Sequence, residues 1–278
     1  MFKCKEKKDG TVTLRYTTRN EKLSDKLYFN FYFFLGPDYF CQGADHCWDF
    51  ELARQGALLD SKTAEPAIIT GNYSFVASPT GNGLSLGDIS HTWVQLGNFG
   101  STCLVDPSTC HNGFTIAMFV KVMKRKDLYY FGNIRRDGTG ARKIVKGVAF
   151  KTHFTSFNTV VEIRNGTHLC TFFAGFEEGI WFYYVLTWER TQGPWTRFLE
   201  NEYEKGPIKC VPESVSATEP IYNLAADGIQ NTQYDNIAIW FNQIHLLQAG
   251  NMLNYSHGKF LIKKKILLVK HADCKVLF

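Results

Sequence analysis

The sequence has no apolar run long enough to cross a membrane. Residues 27–35, Leu-Tyr-Phe-Asn-Phe-Tyr-Phe-Phe-Leu, are too few to span a bilayer, and the run 260–269 is interrupted by Lys263, Lys264 and Lys265. No pair of cysteines has the Cys-x2-Cys spacing of a zinc site. His46 beside Cys47 and His168 near Cys170 have no matching second half, so a metal cluster is not expected. No Gly-x-Gly-x-x-Gly or phosphate-binding loop occurs, which removes the common nucleotide readings. No Gly-x-Ser-x-Gly elbow supports a serine hydrolase, although the eight histidines leave a Ser–His–Asp arrangement arithmetically open. The Glu-x-Asp-x-x-Glu pattern that would set acids on one strand face for glycoside cleavage is missing too. Asp49 and Glu51 stand two apart on an expected strand with no third acid, and the adjacent Glu177-Glu178 reads as a solvated turn before Gly179. No internal repeat is visible. No secretory leader of ordinary form starts at Met1, because residues 3–9 are nearly all charged.

Aromatic residues are plentiful. They make up 15% of the 278 residues, with 23 Phe, 13 Tyr and 6 Trp, enough for a sizeable core. Aromatic and β-branched residues suit pleated, half-buried surfaces. The net charge of +5 is unevenly spread. Residues 1–26 carry a net +4 and residues 257–278 a net +5, so the stretch 27–256 is mildly acidic at −4. The basic ends read as solvated tails rather than as a nucleic-acid surface, and no nucleic-acid partner is expected.

The segment Cys103-Leu-Val-Asp-Pro-Ser-Thr-Cys110 brackets an Asp-Pro turn with two cysteines, and such a short loop closes into a disulfide at little entropic cost. A Cys103–Cys110 bond points to an oxidising, extracellular compartment. The pairings Cys41–Cys47 and Cys170–Cys210 are also compatible with the spacing, but connectivity does not follow from sequence. Three N-glycosylation sequons begin at Asn72, Asn165 and Asn254 and suit surface loops of a secreted chain. Asn165-Gly166 is also a good hairpin turn.

Three parts are expected along the chain. Residues 1–40 form a charged and aromatic N-terminal extension. Its run 27–35 reads equally as a displaced signal-like core or as an aromatic strand, and the rest as disordered. Residues 46–256 form the main domain, and residues 257–278 a basic C-terminal tail. Within the main domain, short strand-like runs are divided by Gly, Asn, Pro and Asp, with no long helical pattern. Strands are expected at 47–52, 73–76, 83–86, 93–96, 114–122, 128–131, 143–151, 159–164, 169–173, 181–189, 196–200 and 234–241. In 181–189, Phe182, Tyr184, Leu186 and Trp188 fall on one face, with Trp181, Tyr183, Val185 and Thr187 on the other. In 234–241, strict alternation puts Ile237, Ile239 and Phe241 together and Tyr234, Asn236, Ala238 and Trp240 opposite. After it, Ile244, Leu247 and Leu253 fit a helical turn or two. The fold class is an all-β, antiparallel jelly-roll sandwich.

In order, these pieces resemble the laminin-G-like and pentraxin-like domains of the concanavalin A-like superfamily. His46-Cys-Trp-Asp-Phe-Glu-Leu52 is similar to the opening aromatic and acidic strand. Gly83-Leu-Ser-Leu86 and Trp93-Val-Gln-Leu-Gly-Asn98 resemble the next two. Cys103 to Val122 resembles the cysteine-bracketed turn and following strand of an extracellular branch. Trp181-Phe-Tyr-Tyr-Val-Leu-Thr-Trp188 is similar to the tryptophan-ended strand, and Trp195-Thr-Arg-Phe-Leu-Glu-Asn201 to the next. Tyr234-Asp-Asn-Ile-Ala-Ile-Trp240 resembles the closing strand. Two departures stand out. Pentraxins join adjacent core strands by a disulfide at positions that here are Ala117 and Val185, and the stretch 223–230, which would hold calcium, has one carboxylate where several are needed. No cofactor is therefore expected, and calcium-dependent binding is disfavoured.

The resemblance implies a non-catalytic extracellular recognition or adhesion module that binds protein or glycan through its loops. An ectodomain fragment of an adhesion-type receptor and a glycan hydrolase of the same superfamily are the alternative readings. Trp195, after Gly193-Pro194, is the tryptophan nearest to exposure, with packing the favoured reading there too. Trp93, Trp181, Trp188 and Trp240 are expected to pack. Asp137-Gly-Thr-Gly140, flanked by Arg135, Arg136, Arg142 and Lys143, reads as a basic hairpin tip.

Overall fold

The computed structural model describes residues 2–6, 12–16, 29–31, 40–52, 58–87, 92–124, 129–136, 142–152, 158–164, 168–175, 177–189, 195–200, 203–209, 211–212, 223–227 and 231–244. The chain divides into two compact units, Met1–Gln42 and Gly43–Phe278. The first contains β1 (Phe2–Glu6), β2 (Val12–Tyr16) and β3 (Phe29–Phe31), paired antiparallel in that order. The run 27–35 thus contributes a short strand.

The second unit opens with β4 (His46–Trp48), a 3-10 turn at Phe50–Leu52, β5 (Leu58–Leu59), β6 (Pro66–Thr70), β7 (Tyr73–Ala77), β8 (Asn82–Leu86) and β9 (Trp93–Asn98). Then follow β10 (Phe114–Val122), β11 (Tyr129–Arg136), β12 (Arg142–Thr152), β13 (Asn158–Arg164), β14 (His168–Gly175) and β15 (Phe182–Glu189). The last are β16 (Trp195–Glu200), β17 (Tyr203–Lys209), β18 (Val211–Pro212), β19 (Asn223–Asp227) and β20 (Thr232–Trp240). These strands make two antiparallel sheets. One runs β17-β16-β15-β10-β20-β8-β7, with β4 also paired to β20. The other runs β18-β14-β13-β12-β11-β19-β9-β6-β5. The chain is all-β, as the period-two patterns predict.

The two sheets enclose one apolar core. Phe114, Ile116, Met118, Val120 and Val122 of β10 point into it, with Tyr184, Leu186 and Trp188 of β15 and Phe150, Val161 and Phe172 of the opposite sheet. The alternation expected for 181–189 is borne out. Tyrosine hydroxyls satisfy themselves across the interior: Tyr234 donates to the Tyr130 carbonyl, and Tyr184 donates to the Gly175 carbonyl at 2.8 Å. A buried hydroxyl without such a partner would oppose folding. Ala117 and Val185, the positions of the pentraxin core disulfide, are direct cross-strand partners on β10 and β15, and both are fully buried.

Three expectations are corrected. The first strand is shorter than 47–52. Asp49 Oδ1 accepts the Glu51 N–H at 2.7 Å, a local bond that turns the chain into the 3-10 segment, so Asp49 and Glu51 do not share a strand face. The stretch matched to a calcium loop instead contains β19, which pairs with β9 on one side and β11 on the other. Tyr234 faces the core together with Ile237 and Ile239, not opposite them. Phe119 pairs with Asp235 while Met118 pairs with Ile237, which leaves Asn236 as an extra residue at φ +42°. This bulge shifts the alternation by one. The helical turns expected around Leu247 and Leu253 lie outside the described residues.

The Cys103–Cys110 bond is formed, with Cα atoms 4.9 Å apart. Asp106 caps the 3-10 turn Pro107–Thr109 by accepting the Ser108 N–H, and Pro107 pre-sets the bend. The loop rests on Gly147 of β12, at φ +90°, where a Cβ would lie 2.6 Å from the Leu104 carbonyl oxygen and 2.5 Å from Asn133 Oδ1. Cys41, Cys47 and Cys170 are also oxidised to disulfides. Replacing Cys103 and Cys110 together by Ser is expected to lower unfolding free energy by about 2.5 kcal/mol, the chain-entropy value for so short a loop. Chemical denaturation of the two proteins measures it.

Candidate functional site

Two clusters of polar side chains stand out against the apolar sheets. The first lies at the end of the sandwich formed by the β7–β8 hairpin. Its turn, Ser78-Pro-Thr-Gly81, is closed by the Ser78 N–H donating to the Gly81 carbonyl at 3.0 Å and the Gly81 N–H donating to Ser78 Oγ at 3.2 Å. Pro at the second turn position and Gly at the fourth suit this geometry. The bulge in β20 turns Asp235 toward this turn. Thr80 donates to Asp235 Oδ2 twice, from Oγ1 at 2.6 Å and from its backbone N–H at 3.1 Å. Asn236 Nδ2 in turn donates to Thr80 Oγ1 at 2.9 Å. Glu51 closes the cluster from the side, accepting from the Asn82 backbone N–H at 2.5 Å and from Asn82 Nδ2 at 3.2 Å.

Half-buried Trp181 completes this rim. A Cβ placed on Gly83 would fall 3.3 Å from the edge of its ring, 3.0 Å from Ser78 Cβ and 2.7 Å from the Tyr234 carbonyl oxygen. The Tyr234 carbonyl leaves no room for a side chain at position 83, and the indole edge packs beside the same glycine. Exposed Asn82 and Glu51, with the half-buried residues of the turn and Trp181, form the accessible part of the site. Amide and carboxylate groups beside an indole can hydrogen-bond a hydroxylated ligand while the ring covers its apolar face.

Asp235 is only 1% exposed, and its Oδ1 has no hydrogen bond of normal geometry. Burial pushes its carboxyl up from 3.8 to about 6; hydrogen bonds from Thr80 and Ser78 pull against this rise and the nearby Glu51 charge adds to it. The folded chain therefore holds a proton that the unfolded chain releases, and stability falls as pH climbs from about 4 to about 6. Asp235→Asn keeps an acceptor for Thr80 and removes the buried charge. It is expected to stabilise the protein at pH 7.5 by about 1–3 kcal/mol and to flatten the slope across that window. Urea denaturation at pH 4.5 and 7.5 reads both effects.

The second cluster is centred on Asp60, also 1% exposed. It accepts from His46 Nδ1 at 2.6 Å, the Cys47 and Lys62 backbone N–H groups at 2.9 Å each, and Thr63 Oγ1 at 2.9 Å. Burial raises its carboxyl, but the His46 contact and these donors outweigh the effect and hold it below the usual value. A histidine held by a carboxylate has the outline of a catalytic pair. Here Trp48 stacks on the imidazole, Phe99 and Phe241 meet it edge-on, and no hydroxyl nucleophile reaches it among the described residues. The pair fastens β4 to the loop at 60–65. Asp60→Ala is expected to cost about 2–4 kcal/mol, because the buried Cys47 N–H and the part-buried Lys62 N–H lose their acceptor. The stability Asp60 supplies is present above pH 3.8 and lost as pH falls through its lowered folded value, so acid titration of wild type and variant should converge at low pH.

Other expected residues fall as follows. Asn72 is exposed, whereas Asn165 and Asn254 lie outside the described residues. Glu177 and Glu178 are exposed in a turn in which the Ile180 N–H donates to the Glu177 carbonyl. Trp188 and Trp240 are buried, and Trp93 is half-buried. The side chain of Trp195 and the basic hairpin tip at 137–140 lie outside the described residues. Among the described residues no group of three His, Cys, Asp or Glu side chains is placed to hold a metal ion, and no helix is long and apolar enough to cross a membrane.

No protein-family model and no curated protein matches the chain. Solved structures do. The binding domain of botulinum neurotoxin DC in complex with rat synaptotagmin II is similar at TM-score 0.55 and 11% identity, over 77% of this chain and 52% of that one. The same binding domain in complex with SialylT gives 0.57 and 12%, over 78% and 52%. A neurotoxin type C structure, described by its interaction with two ganglioside molecules in cell entry, gives 0.54 and 11%, over 77% and 51%. The likeness is one of fold. The chain spans about half the length of the binding domains it matches.

Proposed function

We propose that this protein is an extracellular, non-catalytic recognition module of the laminin-G-like kind, a jelly roll that binds a protein or glycan ligand at its hairpin rim. The observation that carries the reading is the outer face of the sheet built around β10, β15 and β20. In glycanases of the concanavalin A-like superfamily such a face bears the acid and nucleophile. Here it bears Thr115, Ala117, Phe119, Tyr183, Val185, Thr187, Ala238 and Trp240, all buried. Among the described side chains of β8, β10, β15 and β20 the sole carboxylate is Asp235, and it is locked to Thr80. Among the described side chains of that surface no second carboxylate stands about 5–9 Å from Asp235 across a cleft, which supports a non-catalytic reading.

Recognition then falls to loops carried on a rigid sandwich. The rim of Ser78, Thr80, Asn82, Glu51 and Trp181 has the donors, acceptors and aromatic surface that a sugar or a polar peptide needs. The formed Cys103–Cys110 bond favours an oxidising compartment. The structural neighbours are themselves binding domains, in complexes with synaptotagmin II and SialylT. They support a binding role without fixing which part of each domain makes the contact.

The test is a glycan-array and ectodomain screen of the full chain, with calcium and with chelator. The expected result is specific binding that survives chelation and weakens at least about tenfold, or about 1.4 kcal/mol, in Trp181→Ala and Asn82→Ala. No binding to any probe, together with turnover of a polysaccharide, overturns it.

A further inference from the structure

Every sheet ends in a strand whose outer backbone groups have no neighbour, and such edges invite pairing with another chain. Most edges here carry a deterrent in their own sequence. The edge strand β1 contains Lys3, Lys5 and Glu6, and β3 is only three residues long. At the far end of the first large sheet, β17 contains Glu204, Lys205, Pro207 and Lys209. In the second large sheet, β18 and β5 are two residues each, and β18 ends in Pro212. Charge, proline and brevity are the usual means of blocking edge pairing.

Among the described strands that end a sheet, the exception is β7. Its five residues, Tyr73-Ser-Phe-Val-Ala77, hold no charge and no proline. Its register with β8 runs unbroken from Tyr73–Leu86 to Ala77–Asn82, so no bulge twists it away. Its side chains are mostly exposed: Tyr73 is 37% exposed, Phe75 is 41% exposed, and Ser74 and Ala77 are exposed as well. An uncharged, aromatic, regular edge is the pattern that self-associates.

The residue before this strand begins a sequon, Asn72-Tyr73-Ser74. Its backbone is fixed on both sides, with the N–H donating to Thr92 Oγ1 at 3.3 Å and the carbonyl accepting from the Gly87 N–H at 3.1 Å. The Asn72 side chain is exposed, and its amide makes no hydrogen bond among the described residues. We propose that Asn72 carries an N-linked glycan whose structural role is to shield the open β7 edge from pairing with the β7 of a second copy. Transfer forms one bond, between Asn72 Nδ2 and the anomeric carbon of a lipid-linked oligosaccharide. The lipid diphosphate leaves, one amide proton is released, and nothing is oxidised or reduced. A bulky, hydrated group at the start of the edge denies a second strand its approach, and it does so without a charge on β7.

The inference rests on the extracellular reading, and the experiment separates the two. The full chain is produced behind a cleavable secretory leader in cultured animal cells, and glycopeptides are mapped by mass spectrometry with and without glycosidase. Asn72 is expected to be occupied in most molecules. Enzymatic removal of the glycan under native conditions, or Asn72→Gln, is expected to convert a monomer into dimers or larger species at about tenfold lower concentration by light scattering. Adding Ala77→Lys to Asn72→Gln is expected to restore the monomer, because a charge then blocks the same edge. An unmodified Asn72 beside a modified Asn165 or Asn254 overturns this inference alone. An occupied Asn72 whose removal leaves the oligomeric state unchanged also overturns it. Absence of glycan at all three sequons together with reduced cysteines overturns the extracellular reading as well.

Discussion

The extra residue in β20 governs how the two large parts of the second unit work together. Without Asn236 at its left-handed φ, strict alternation would put Tyr234 on the outer face and Asp235 in the core. With it, Tyr234 reaches across the interior to the Tyr130 carbonyl, and Asp235 turns outward to hold Thr80. One inserted residue therefore links the inter-sheet core to the hairpin rim. It also creates a buried carboxyl among buried side chains of β8, β10, β15 and β20 that carry no other charge, a cost that the Thr80 bonds reduce without removing.

That arrangement separates the buried strands from the polar hairpin turn. The described residues at the centre of β10, β15 and β20 are buried on both faces, and the cluster of Thr80, Asn82 and Glu51 lies at the hairpin end. A sandwich of this kind can change its loops without disturbing its core, which is why one fold serves many ligands. The likeness to neurotoxin binding domains at 10–12% identity is a likeness of fold.

Much of the fold was legible because two-sided burial left a clear record. Phe114–Val122 appears as a strand in the expected place, and the faces of 182–189 follow the alternation in the sequence. The Ala117–Val185 partnership also emerged, because both residues sit in clear period-two strands whose register pairs them directly. What was missed lacks local propensity. β19 reads Asn-Leu-Ala-Ala-Asp and is a strand because β9 and β11 flank it, while β6 begins at a proline. The rim was illegible for a related reason. Asp235 and Thr80 are 155 residues apart, and no local pattern announces their contact. Two signals were present, an Asp-Asn pair inside an apolar strand and a Ser-Pro-Thr-Gly turn, but only the fold brings them together.

The seat of the cysteine loop on Gly147 has an evolutionary corollary. The Leu104 carbonyl occupies the space where any side chain at position 147 would begin, and Asn133 closes the same space from the other side. The staple and the glycine are therefore sterically coupled to one another. A descendant that exchanged this glycine for a larger residue would have to remodel the 103–110 loop in the same step, so among related chains the two features should be gained and lost as a unit even though more than thirty residues of sequence separate them.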